Sequence, residues 1–102
     1  MAFRELIHTA IDTTSSGNNT LIAASSGRRL VIHRIFLVPA SSVTVKFRDG
    51  ASTDLTGAMT LAALFRLDVE DNPWFTTSVG NAFVMNLGGA VQVSGAVYHT
   101  LA

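Results

Sequence analysis

The chain reads as an all-β protein: an antiparallel β-sandwich of about eight strands with jelly-roll-like topology. Three observations predict this. Apolar residues recur with period two in short segments. Clusters of Gly, Asn, Asp, Ser and Pro break those segments at spacings of roughly ten residues. No stretch carries the sustained 3.6-residue period of a long amphipathic helix.

Each element follows from its own pattern. Residues 4–11 alternate loosely, with Leu6, His8 and Ala10 on one side and Ile7 and Ile11 on the other. Residues 12–19 read as a polar loop and residues 20–24 as a short strand. Ser15-Ser16-Gly17 and Ser25-Ser26-Gly27 bracket that strand as turns in which Gly supplies positive φ. Residues 30–38 are apolar on both faces, which predicts a central strand covered on both sides and needing a partner on its outer face. His33 and Arg34 interrupt that run, and Pro39 ends it. Val43, Val45 and Phe47 alternate with Thr44, Lys46 and Arg48 in a half-buried strand, and Asp49-Gly50 is a hairpin-type turn.

Leu61, Ala63, Phe65, Leu67 and Val69 line one face of a further strand, against Thr60, Arg66, Asp68 and Glu70 on the other. The Ala, Leu and Met content of residues 58–65 also suits a helix, but period two persists for about ten residues and favours strand. Asp71-Asn72-Pro73 reads as a turn. Residues 82–87 and 90–101 form the last two strands, joined at Gly88-Gly89, and Gly95 marks a bulge or a close approach.

Composition bounds the function. The 102 residues suit a single domain, with residues 1–6 as an extended N-terminal arm. Hydrophobic residues make up 48% and charged residues 14%, against about 25% charged in a typical soluble domain. A small domain has much surface per volume, so this chain is expected to bury surface against copies of itself or a larger assembly. Lys46 is its single lysine, which leaves little charge to guard edge strands. Zero net charge argues against nucleic-acid binding, because neutralising phosphates needs a basic surplus. Apolar runs such as residues 35–38 fall far short of the ~20 residues of a membrane span. The opening Met1-Ala2-Phe3-Arg4-Glu5 lacks the pattern of a signal peptide. Cys is absent, which removes disulfides and thiolate chemistry and fits a reducing compartment. Folding is expected where the chain is made.

Catalytic signals are weak, so a non-enzymatic protein without cofactor or metal is expected. His8, His33 and His99 lie far apart in sequence, although strands or a symmetry axis can gather them. Asp12 with His33 or His99 makes a triad only on paper, and Ser16-Gly17 and Ser26-Gly27 sit in turns without a nucleophile elbow. Asp68, Glu70 and Asp71 read as a solvated edge rather than a hydrolytic pair. Gly88-Gly89 lacks the residues of a phosphate loop. The partner-interface candidates are Phe3 in the arm, Arg28 and Arg29 for an acidic partner, and the adjacent Trp74 and Phe75. Of that aromatic pair one ring fills the core and the other is available as an anchor.

The order of several pieces resembles small structural proteins of tailed bacteriophages. These are Gly17-Asn18-Asn19-Thr20-Leu21-Ile22-Ala23-Ala24, Gly27-Arg28-Arg29-Leu30-Val31-Ile32 and Val43-Thr44-Val45-Lys46-Phe47. Thr53-Asp54-Leu55-Thr56-Gly57, Pro73-Trp74-Phe75-Thr76-Thr77 and Gly80-Asn81-Ala82-Phe83-Val84-Met85-Asn86-Leu87 follow, before the closing residues 91–98. The similarity spans residues 12–98 and rests on turn-and-strand fragments. It implies a β-sandwich head-decoration or cement subunit, made in the host cytoplasm and carried on the virion. Such a subunit binds itself as a homotrimer and binds the major capsid protein or another virion protein. A tail, fibre or spike-associated subunit is the alternative within the virion. A carbohydrate-binding sandwich is the alternative outside it, with Trp74 and Tyr98 as its few aromatic platforms.

Overall fold

A computed structural model describes residues 6–102, with side chains throughout except at 69–74. Phe3 and the arm ahead of Leu6 therefore lie outside the described residues, as does the side chain of Trp74. The described residues form nine strands: β1 Ile7–Thr13, β2 Gly17–Ile22, β3 Leu30–Pro39, β4 Val43–Asp49, β5 Thr53–Asp54, β6 Met59–Leu61, β7 Leu67–Thr76, β8 Phe83–Leu87 and β9 Val93–Leu101. Among the described residues there is no helix.

All strand pairs are antiparallel. One sheet runs β1-β9-β3-β7 and the other β2-β8-β4-β5, with β6 also on β4. Short β5 and β6 share one edge position, so the sandwich has eight strand positions in two interleaved sheets. This is jelly-roll connectivity, as the sequence pattern predicts.

The core forms where the inner rows of the two sheets meet. Val43, Val45 and Phe47 of β4 are buried, as the alternation requires, beside Phe83, Met85 and Leu87 of β8. Opposite them stand Ile11, Leu30, Ile32, Ile35, Leu37, Val93 and Val97. Phe47 stacks on Phe83 with ring centroids 5.5 Å apart, and Phe75 packs at a tilt 6.1 Å from Phe47 and 6.2 Å from Phe83.

The interruption at His33-Arg34 has a structural meaning. On β3, Ile32 faces His99 and Arg34 faces Tyr98, so His33 is an extra residue in the ladder. Strict alternation from Leu30 and Ile32 would send Arg34, Phe36 and Val38 into the core. The bulge resets the phase, so Ile35 and Leu37 are fully buried while Arg34, Phe36 and Val38 are only half-buried. Arg34 then lies over the Phe36 ring at 5.8 Å and 3.6 Å from Asp68. The outer face of this central strand is thus partly covered by its own sheet.

The expected continuous strand over residues 60–70 is corrected. Leu61 pairs with Val43 in one sheet, whereas Leu67 pairs with Leu37 in the other. The chain must cross between the sheets over residues 62–66, so period two breaks there. Leu64 turns the corner at φ 62° with its amide donating to the Pro39 carbonyl, and it is 75% exposed. The expected Asp71-Asn72-Pro73 turn is also revised. It falls inside β7, where register with β3 jumps from Phe75 opposite Ile32 to Glu70 opposite Arg34. The strand boundaries near the N-terminus shift too, since β1 reaches Thr13 and β2 starts at Gly17, which shortens the polar loop between them.

Asp49 and Gly50 do make a turn, and they do more. The buried Asp49 carboxylate accepts hydrogen bonds from the Ser78 amide (3.0 Å), the Ser78 hydroxyl (2.8 Å) and the Asn81 side-chain amide (3.0 Å). Gly50 has φ 75° and its amide donates to the Ala82 carbonyl. This network ties the β4–β5 turn to the β7–β8 loop.

Candidate functional site

One open edge of the sandwich is the free side of β1 and the residues around it. Among the described residues β1 pairs only with β9 and is the outermost strand of its sheet. Along it, Ile7, Thr9, Ile11 and Thr13 share the inner row, while His8, Ala10 and Asp12 share the outer one. Leu6 and Ile7 are 45% and 44% exposed. No Lys, Arg or Pro interrupts β1, and Asp12 is its one acidic residue. His8 packs at a tilt against Tyr98 of β9 with ring centroids 5.2 Å apart. Asp12 accepts a 2.7 Å hydrogen bond on Oδ1 from Gln92, which also donates to the Ser94 hydroxyl.

A second exposed apolar feature is the sheet-crossing corner, where Phe65 is 50% exposed beside Leu64. The sequence concealed it, because Leu61, Ala63 and Phe65 read as one buried row. Leu6 and Ile7 were likewise legible as strand residues, but their exposure follows from β1 being an edge, which only the sheet order decides.

The histidines are partly brought together. The His33 ring nitrogen Nε2 lies 2.9 Å from the Thr100 hydroxyl. His99 is buried on the next strand opposite Ile32, and its Nδ1 has no hydrogen-bond partner. Burial pushes the His99 pKa below its ordinary value, and the nearby His33 lowers it further. His8 stands apart on the outer row. Asp12 lies opposite Ser94, five residues along β9 from His99, or about 17 Å at strand spacing. The paper triad is therefore not assembled through His99. Among the described residues no group of three or more His, Asp or Glu converges as metal ligands.

The outer face of the other sheet is polar and internally satisfied. Arg48 donates to Asp54 (2.8 Å), to Asn18 (3.2 Å) and to the Ala51 carbonyl (3.0 Å). Asn86 donates to Asn18 at 2.8 Å, and Lys46 stands 3.4 Å from Asp54. Burial acts to raise the Asp54 pKa, but the Arg48 hydrogen bond and the Lys46 charge outweigh it and leave the pKa lowered. An open depression of about 200 Å³ lies at one end of this sheet, lined by Ser42, Val43, Thr44, Thr60, Gly88 and Gly89. No titratable group lines it.

Of the residues singled out as partner contacts, Arg28 and Arg29 are exposed in the loop leading into β3. Their backbones are fixed, Arg28 by Ser25 and Gly80 and Arg29 by Ala102. Phe75 is half-buried against Phe47 and Phe83 and supplies the core ring of the aromatic pair. Asp68 meets Arg66 at 2.9 Å as well as Arg34, so it belongs to a surface ion cluster.

Comparison with known protein families, with curated proteins and with solved structures finds no match.

Proposed function

We propose that this protein is a non-enzymatic structural subunit of a bacteriophage virion, a capsid decoration or cement protein that acts as a homo-oligomer. The observation that carries the self-associating part is the exposure of large apolar residues at two separate places: Leu6 and Ile7 at the β1 edge, and Leu64 and Phe65 at the corner that feeds β7, the opposite edge of the same sheet. Apolar surface left outside a small, charge-poor domain favours burial against another surface. The virion part is supported by the resemblance over residues 12–98. The jelly roll is compatible with it but hosts many functions and does not select one.

In this reading the subunit works mechanically. It binds the assembled lattice better than free capsid protein and so stabilises it by mass action. Linked copies multiply weak contacts through avidity. Three copies are the arrangement the resemblance implies, with the major capsid protein as partner and Arg28 and Arg29 as contacts for an acidic patch.

The test is binding to particles. Purified protein mixed with undecorated heads of the phage that encodes it should co-sediment at a fixed stoichiometry and raise their melting temperature. Co-sedimentation with tails alone would move the subunit to the tail. No association with either, together with retention on a glycan array, would replace the virion reading with the carbohydrate-binding one.

A further inference from the structure

We infer that the free edge of β1 is an interface in which two copies of this chain pair β1 against β1, antiparallel, about a two-fold axis at Ala10. The two sheets then join into one, in the order β7-β3-β9-β1 followed by the same order reversed. This inference does not rest on the virion reading.

Three features of β1 select a second copy as the occupant. First, an outermost strand without Lys, Arg or Pro presents backbone N–H and C=O groups on which another strand can add a ladder. Second, the strand is self-complementary in its polar groups. With Ala10 against Ala10, Thr9 meets Ile11, Ile7 meets Thr13, and His8 meets Asp12 of the other copy on both sides of the axis. Opposite-charge or hydrogen-bonding pairs directly across a strand pair favour that register, and like charges oppose it. His8 and Asp12 are both exposed, and Asp12 takes its Gln92 bond on Oδ1. A histidine ring donates to a carboxylate in its neutral form as well as its charged one. Third, the register fits the pleat. Residues paired about Ala10 share parity along the strand, so outward rows meet outward rows. An axis one residue earlier would set His8 against Ala10, and one residue later would set Asp12 against Ala10. Ala10 centring alone forms the His8–Asp12 pairs, and it leaves the smallest side chain of β1 at the axis.

As the sole contact this pairing gives a dimer. A trimer needs a head-to-tail contact instead, because an isologous interface closes at two copies.

The chain contains no Cys, so a single introduced thiol reports on one position. Ala10→Cys under mild oxidation should give mostly disulfide-linked dimer, and Ser52→Cys, on a distant exposed turn, should stay largely monomeric. By light scattering the wild type should be a dimer, His8→Asp should fall to a monomer, and H8D/D12K should recover the dimer by placing opposite charges across the pair. Thermal melts of each variant separate lost pairing from lost folding. A wild-type monomer at all concentrations, or Ala10→Cys cross-linking no faster than Ser52→Cys, would overturn the inference. A trimer unchanged by His8→Asp would also overturn it while leaving the decoration reading intact. A dimer that binds no particle would keep the pairing and remove the virion reading.

Discussion

Gly95 of β9 and Phe36 of β3 approach so closely that no side chain fits between them. A Cβ on Gly95 would run into the Phe36 carbonyl oxygen, with Leu37 Cα 2.7 Å and the Phe36 carbonyl carbon 2.8 Å away. The obstacle is backbone in the central strand, which cannot rotate aside as a side chain does. Gly95→Ala is therefore expected to cost about 2–3 kcal/mol, at the upper end of overpacking. Urea denaturation measures it. In Gly88→Ala the tightest contact is the Thr44 Cβ at 3.1 Å, with the Thr44 carbonyl oxygen at an ordinary 3.7 Å, so it should cost less; equal effects would remove the special role of Gly95.

Asp49 anchors two loops at once. Asp49→Ala leaves the Ser78 amide, the Ser78 hydroxyl and the Asn81 amide without their acceptor. Charged acceptors in part-buried networks contribute more than neutral ones, so a loss of about 2–3 kcal/mol is expected. Hydrogen exchange should quicken at Ser78 and Gly50 ahead of the core strands. Uniform loss of protection would show that the network does not act locally.

Acid should weaken the fold through His99. Burial, then His33, holds its folded pKa below the ordinary 6.5. Between that lowered value and about 6.5 the unfolded chain binds more protons than the native one. Stability is then complete above about pH 6.5 and declines as pH falls across that window. Urea midpoints at about pH 7.5 and 5.5 should differ in the wild type and converge in His99→Gln. An equally steep variant would assign the pH dependence to other groups.

Leu64 occupies the left-handed region, which costs a non-glycine residue about 1 kcal/mol or more. Its side chain is mostly exposed, so little packing is lost on truncation. Leu64→Gly should raise stability by about 0.5–1 kcal/mol by relieving that conformation, after allowing for the added freedom of the unfolded chain. A decrease would show that the Leu64 side chain packs more than its exposure suggests.

The sandwich was legible because burial on one face leaves a period-two trace, as in Val43, Val45 and Phe47. The irregularity at His33-Arg34, the strand end at Pro39 and the close approach at Gly95 were legible for a related reason, since each residue type is costly in a regular central strand. What failed was the crossing between sheets. Leu61 through Val69 keeps period two in letters, yet its two halves belong to different sheets. No local pattern records which sheet a residue joins. The Asp49 network escaped for a similar reason, since its partners lie about thirty positions away and meet only once the loops are stacked. The surface around β1 was foreshadowed by the shortage of charge, but its place at the edge depends on β9 lying inside the sheet.

That place of β9 also governs when the protein can assemble. β9 lies between β1 and β3, so residue 7 waits for residue 99 and residue 30 waits for residue 101. During synthesis β1 and β3 emerge early with their pairing edges open and no strand to fill the gap. Such long-range closure slows folding, and the exposed interval invites pairing between chains. Removing residues 93–101 would delete the middle of a sheet rather than trim its border, leaving β1 with no partner and β3 with only β7.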